Sequence, residues 1–389
     1  MTMPVPARSD VLIIGGGLIG LATAWRTAQR GLSVTLCDPA PGANASFAAA
    51  GMLTPVTELH YGEEALLGLN LVSAARYPSF VAELSEAAGG LDPGYREAGT
   101  LVVAFDADDR AVLADLHTFQ QSLDLKAEWL TGSEVRRLEP MLAPGIRGGL
   151  LVAGDHQIDN RMLLAALFAA LEREPRATIV RSKVAELTLT GAGDRATGVV
   201  LEDGTALAAA QVVLAAGCWS GQIRGVPEAL LPPVRPIKGQ ILRLAVPEVF
   251  RPFLSHTVRY VARGNQAYLV PREHGELVLG ATVEEQDYDT TVTAGGVYEL
   301  LRDARALVPG ITELPLIETR AALRPGSPDN APMIGPTALP GLLYATGHYR
   351  HGVLLTPATA DAMAEILATG DVPETLAPFS PQRFAEHQK

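Results

Sequence analysis

A glycine-rich turn set between two apolar strands limits this chain to few folds: Asp10-Val-Leu-Ile-Ile-Gly-Gly-Gly-Leu-Ile-Gly20. Val11, Leu12, Ile13 and Ile14 are branched and apolar, the pattern of a strand buried on both faces of a parallel sheet. Gly15, Gly17 and Gly20 follow as G-x-G-x-x-G. Residues 18–30 read as a helix with Leu21, Ala24 and Ala28 on its packed side, and residues 33–37 read as a second strand ending on Asp38. Gly15 permits the tight turn, Gly17 lets backbone approach a pyrophosphate, and Gly20 lets helix pack on strand. The helix start offers unpaired N–H groups and the positive end of its dipole to phosphate. Asp38 stands at the spacing of a carboxylate that binds ribose hydroxyls. An isolated glycine turn would carry little weight; strand, helix, strand and acid in this order predict a dinucleotide-binding unit.

The chain has 389 residues, enough for two domains around large cores. With 19% charged and 48% hydrophobic residues it has the make-up of a soluble enzyme. A net charge of −12 without a basic block argues against a nucleic-acid partner. Gly and Pro interrupt the apolar runs before membrane-spanning length, so no membrane span is expected. Residues 1–9 hold no apolar signal region, which predicts a cytoplasmic protein. Cys37 and Cys218 are the only cysteines, and both read as reduced, buried thiols. The histidines show no metal-ligand spacing, and no metal is expected.

Residues 40–52 are mostly small. They suit either a flexible loop or a segment that must pass close to a bulky cofactor, since so many small residues cost chain entropy unless close approach needs them. Helices are expected at 63–88, 106–123, 158–173, 298–307 and 357–367. Strands are expected at 99–105, 148–152, 178–187, 196–201, 205–217 and 342–346, with 178–187 pairing 196–201 across a Gly-Ala-Gly-Asp turn. Between residues 234 and 282 the pattern becomes short alternating strands with polar turns, an antiparallel signature. The two kinds of region are interleaved. The expected fold is α/β: a Rossmann-type FAD-binding domain (1–90, 146–232 and 320–389) interleaved with an α+β antiparallel-sheet substrate domain (91–145 and 233–319).

FAD fits this organisation better than NAD, because the parallel pattern lapses after Asp38 where an NAD domain continues it. Two later segments restore it: Gln211-Val-Val-Leu-Ala-Ala-Gly217, and Leu342-Leu-Tyr-Ala-Thr-Gly-His-Tyr-Arg-His-Gly352 with the Val353-Leu-Leu-Thr-Pro that follows. Thr356 reads as an N-cap and Pro357 as a first helical residue. Such a helix would direct its positive end at a flavin ring lying over Gly352. The bland alternative is a strand–loop–helix that merely closes the sheet.

At these residues the chain resembles the D-amino-acid oxidase family of FAD-dependent oxidoreductases, in particular its glycine oxidase branch associated with thiamine biosynthesis. The resemblance runs from Asp10 to about Ile366. Its markers are Ala48-Ala-Ala-Gly-Met-Leu53, the 212–220 segment, Pro236-Ile-Lys-Gly-Gln240, Tyr268-Leu-Val-Pro-Arg272, Gly280-Ala-Thr282, Leu323-Arg-Pro-Gly326 and the 347–357 block. It implies non-covalent FAD lined by Gly15, Gly17, Leu18, Ile19, Gly20, Asp38, Pro39, Ala45, Ser46, Ala50, Gly51, Met52 and Gly217. Val184 would meet the adenine end. Gly347, His348, Tyr349, Arg350, His351, Gly352, Val353 and Leu354 would hold the flavin ring. Arg324 and Tyr268 would bind the substrate carboxylate, and Arg350 would place its carbonyl near the amino group. Gln266, Val283 and Asp38 depart from residues usual in the branch.

The chemistry of these side chains agrees. Arg offers a planar fork of donors to a carboxylate, although an exposed Arg324 could equally make a surface salt bridge. Tyr268 reads as a core aromatic as readily as a carboxylate ligand, and the resemblance favours the second. The implied activity is oxidation of glycine, sarcosine or small D-amino acids by hydride transfer to flavin. It gives an imine or glyoxylate, ammonia and, with molecular oxygen, hydrogen peroxide; the imine could supply thiamine thiazole synthesis. Two other readings stand beside it: a dehydrogenase of the same fold serving another acceptor, and a redox-inert flavoprotein subunit. A homo-oligomer is expected.

Overall fold

The computed structural model describes residues 6–262 and 265–388. Residues 1–5, the start of the segment inspected for a signal region, lie outside the described residues. Five parallel strands make the centre of the first sheet, in the spatial order Leu342–Thr346, Ala206–Leu214, Arg8–Ile14, Val34–Cys37 and Ala177–Val180. Both faces are covered, which is why Val11, Leu12 and Ile13 are all apolar and fully buried. The helices Leu18–Gln29, Glu64–Ala87, Asn160–Arg173 and Thr356–Thr369 pack on one face. On the other, Val184, Leu187, Val199 and Leu201 pack against Leu12, Ile14 and Leu214.

The strand expected at 178–187 divides in two. Ala177–Val180 is one edge of the sheet and Val184–Leu189 the opposite edge. The polar Arg181-Ser-Lys183 between them is outside any strand. The antiparallel pairing of Val184–Leu189 with Ala196–Leu201 is present.

The second sheet runs Leu316–Gly326, Arg235–Ala245, Glu276–Gly280, Asn265–Pro271, Thr257–Ala262, Thr100–Ala104, Gly148–Val152, Glu128–Thr131. Its neighbours are antiparallel except Thr257–Ala262 with Thr100–Ala104. Period-two alternation divides its faces. Leu101, Val103, Leu242, Leu269 and Leu279 point to a core shared with Leu300, Ala304 and Leu307 of the helix Ala294–Leu307. Val102, Ala104 and Leu150 face Leu113 of the helix Ala107–Ser122. On that same second face stand Arg259, Tyr268, Ile241 and Arg324. Gly148–Val152 and the whole of Leu316–Gly326 pair in this sheet. The segments read from sequence as nucleotide-binding from 146 and from 320 therefore begin with strands of the other sheet.

Arg272, at the end of Asn265–Pro271, ties the second sheet to a small three-stranded sheet of Met52–Leu53, His156–Ile158 and Tyr95–Arg96. Its guanidinium donates to Ala50 O at 2.7 Å, Ile158 O at 3.0 Å and Gln157 Oε1 at 3.0 Å, with Asp159 at 3.6 Å. Among the described residues no helix is long and apolar enough to cross a membrane, and no cluster of His, Cys, Asp and Glu could hold a metal ion.

Candidate active site

A cavity of about 920 Å³ extends from the end of the first strand to the polar face of the second sheet. At its nucleotide end, a Cβ on Gly15 would lie 2.4 Å from Ala215 O, and one on Gly20 would lie 1.9 Å from Gly15 O. These two glycines close strand on helix, so Gly20 sits inside that contact and off the cavity wall. Gly17 differs: the nearest atom to a Cβ there is Ser46 Oγ at 3.1 Å, which leaves open space over the helix start. Gly17 is the N-cap of Leu18–Gln29 and makes no side-chain cap bond.

Ser46 Oγ accepts from Leu18 N–H at 2.9 Å. Asp38 accepts from Gly16 N–H at 2.7 Å and Ala40 N–H at 2.8 Å, one bond per oxygen, and retains lone pairs for further donors. Ile19, Pro39, Ala45, Ala50, Gly51 and Met52 continue the wall. Asn160 Nδ2 fixes this stretch by donating to Ser46 O at 2.7 Å and Phe47 O at 2.9 Å. Val184 lines the far end beside the Lys183–Glu202 ion pair at 2.8 Å.

Gly217, Gly347, His348, Tyr349, Arg350, Gly352 and Val353 line the opposite end. Leu354 and His351, expected with them, do not. Leu354 is 1% exposed and belongs to the core, its carbonyl accepting from Ser73 Oγ at 2.6 Å. His351 is buried, and neither ring nitrogen has a protein partner. Burial pushes His348 down to about 3 and His351 down to about 4, so both rings are neutral. Thr356 is not the N-cap: it is the first helical residue, and its hydroxyl donates back to Gly352 O at 2.8 Å.

At the substrate end, Arg324 Nη1 donates to Thr282 O at 3.1 Å, and Arg324 has no carboxylate partner among the described residues. Tyr268 lies beside it; burial raises its phenol while Arg324 opposes the rise. Arg350 lines the cavity; its Nη2 is held by Glu63 at 3.1 Å, and its Nε has no protein partner.

The structure adds three residues that sequence reasoning missed: Glu58, His60 and Arg259. Arg259 is directly opposite Tyr268 in strand register, so the alternation of its strand was a usable signal. Glu58 had none. It follows an irregular turn held by the buried Asp155, whose carboxylate accepts from Val56 N–H at 3.2 Å and Thr57 N–H at 2.7 Å.

The sequence matches the FAD dependent oxidoreductase family over residues 10–366. This chain belongs to that family. It is 34% identical over 380 residues to the bifunctional protein ThiO/ThiG of Synechocystis, covering 97% of this chain and 54% of that protein. The chain thus spans about half the length of the bifunctional relatives it matches. It is 33% identical to the glycine oxidase of Geobacillus kaustophilus over 96% of each protein. The crystal structure of glycine oxidase from that organism superposes with a TM-score of 0.87, covering 97% of this chain and 99% of that one. An iminodiacetate oxidase structure from Chelativorans follows at 0.84, 29% identity, and 95% and 98% coverage.

The cofactor of the family is FAD, and the residues present fit it. Gly17 leaves the space a pyrophosphate needs at a helix start where Ser46 Oγ takes the Leu18 N–H. The cavity is long enough to join that point to the 347–353 loop. Burial pushes both cysteine thiols up to about 12, which keeps Cys37 and Cys218 protonated beside the cavity.

Proposed function

We propose that this chain is an FAD-dependent amino acid oxidase. Glycine, water and oxygen would give glyoxylate, ammonia and hydrogen peroxide, and sarcosine and small D-amino acids would be alternative substrates. The observation that carries the reading is Arg324, a guanidinium without a carboxylate partner, set beside the Tyr268 hydroxyl in the family's FAD cavity. FAD, when bound, supplies the two-electron acceptor for the substrate C–H bond. Arg324 and Tyr268 grip the carboxylate and so fix where Cα points. The Thr282 carbonyl holds the guanidinium in one orientation. The Arg350 carbonyl is the proposed acceptor for the substrate amino group. The buried, protonated thiols support non-covalent FAD, because neither offers a nucleophile. The half-length match to ThiO/ThiG supports delivery of the glycine-derived imine to thiamine thiazole synthesis.

The test is a panel of glycine, sarcosine and D-alanine given to the FAD-loaded protein in air, with peroxide and 2-oxo acid measured together. Peroxide and glyoxylate forming in equal amounts from glycine is the expected result. Flavin bleaching without peroxide would assign electrons to another acceptor.

A further inference from the structure

We propose that Glu58 and Arg259 form a charge selector in the substrate site: it admits zwitterionic monocarboxylic amino acids and turns away amines bearing a second carboxylate. The inference rests on the amino-acid oxidase reading above and names the substrate class of that site.

Both side chains line the cavity, and each residue is only 9% exposed. Glu58 Oε2 accepts from Thr54 Oγ1 at 3.0 Å, and Glu58 Oε1 lies 3.5 Å from Arg259 Nη2. Arg259 Nη1 donates to Thr57 O, and its Nε has no protein partner. The pair is therefore fixed by the turn it sits under. Arg259 is directly across the sheet from Tyr268, while Arg324 approaches the same phenol from the other side. A substrate gripped by Arg324 and Tyr268 extends past the phenol towards Glu58.

The charges around that space are Arg324, Arg259 and Arg350 against Glu58 and Glu63. His351 is neutral, and burial with Arg350 lowers His60 as well. Arg259 is paired with Glu58 and Arg350 with Glu63, so among the described residues Arg324 is the guanidinium left to take one substrate carboxylate. Burial raises Glu58, but Arg259, Arg350 and the Thr54 bond oppose it, and the carboxyl stays below its ordinary range. Glu58 is then ionised at neutral pH and attracts an ammonium group. A second carboxylate finds Arg259 and Arg350 already charge-paired, with Glu58 and Glu63, and meets Glu58 directly, a like charge in a partly dry site.

The test compares iminodiacetate with its monoamide, which has nearly the same size and one carboxylate fewer. The readouts are kcat/KM for oxidation and Kd from perturbation of the flavin absorbance band. The native FAD-loaded protein should favour the monoamide by about tenfold or more in both. Glu58→Gln should shrink that gap by about tenfold, since Arg259 becomes free for the second carboxylate, whereas Glu58→Asp should preserve it. Equal preference in the native protein, with glycine still oxidised, overturns the selector alone. An unchanged gap in an FAD-replete Glu58→Gln protein also overturns it. A native protein that oxidises none of these amines overturns the parent reading, and the Kd comparison still decides the selector. If Glu58→Gln fails to hold FAD, the native comparison decides by itself.

Discussion

Arg324 reaches the cavity because residue 239 has no side chain: a Cβ there would sit 2.4 Å from the guanidinium. Gly280 makes the same room for Tyr268, where a Cβ would lie 2.7 Å from the hydroxyl. The markers Pro236-Ile-Lys-Gly-Gln240 and Gly280-Ala-Thr282 are thus legible as space left for two distant cavity-lining side chains. Tyr268→Phe should keep FAD and lose one hydrogen bond to a charged group, about 1.5–3 kcal/mol of substrate binding. Steady-state kinetics should show a raised KM for glycine with a smaller change in kcat. Arg324 and Tyr268 stand in motifs and so could be read from sequence. Arg259 required knowing which face of its strand was inward. Glu58 required the Asp155 contact, about a hundred residues away in sequence.

Among the elements, the fingerprint helix separates two roles that one motif combines. Gly17→Val meets only a serine hydroxyl, so the chain should fold and purify colourless, with little change in the melting temperature of the apoprotein. The same change at Gly20 would press on Gly15 O and should yield insoluble protein. The 347–355 loop carries a pH dependence. His348 and His351 fall from an ordinary 6.5 to about 3 and about 4 in the folded chain. Depressed values mean stability that is present above pH 6.5 and lost as pH falls below it; between pH 6 and 5 the unfolded chain takes up both protons while the folded chain takes up almost none. Each proton contributes about 1.4 kcal/mol per pH unit. Denaturant titrations at pH 6.0 and 4.5 should show the slope of His351→Asn reduced by about one proton relative to native. Helix and strand positions were largely legible here. The split of 178–187 was not, because a three-residue polar break resembles an irregularity in one strand.

Across the whole molecule, the two large sheets both border the cavity, and Arg272 ties the second of them to Ala50 and residues 157–159. Arg272→Met would leave the buried Asp159 carboxylate without its partner and free the carbonyls of Ala50 and Ile158. Breaking such a pair costs about 3–5 kcal/mol, so thermal unfolding should shift down and FAD should be released more readily. The Rossmann half was legible from residues 10–38, since its strands are continuous apolar runs. The second sheet was only partly legible. Residues 316–320 of its edge strand are exposed or half-buried and carry Glu318, Thr319 and Arg320, so they lack the apolar alternation that marks a strand. Placing that strand beside Arg235–Ala245 is what brings Arg324 to Tyr268 on the cavity wall. The most direct measurement is anaerobic mixing of glycine with FAD-replete native and Arg324→Ala proteins while the flavin band is followed. The native band should bleach with saturable glycine dependence. The variant should have equal flavin content and bleach with an efficiency lower by the equivalent of about 2–5 kcal/mol. Equal rates and equal glycine dependence in the two proteins would contradict the assignment of Arg324 as the carboxylate clamp.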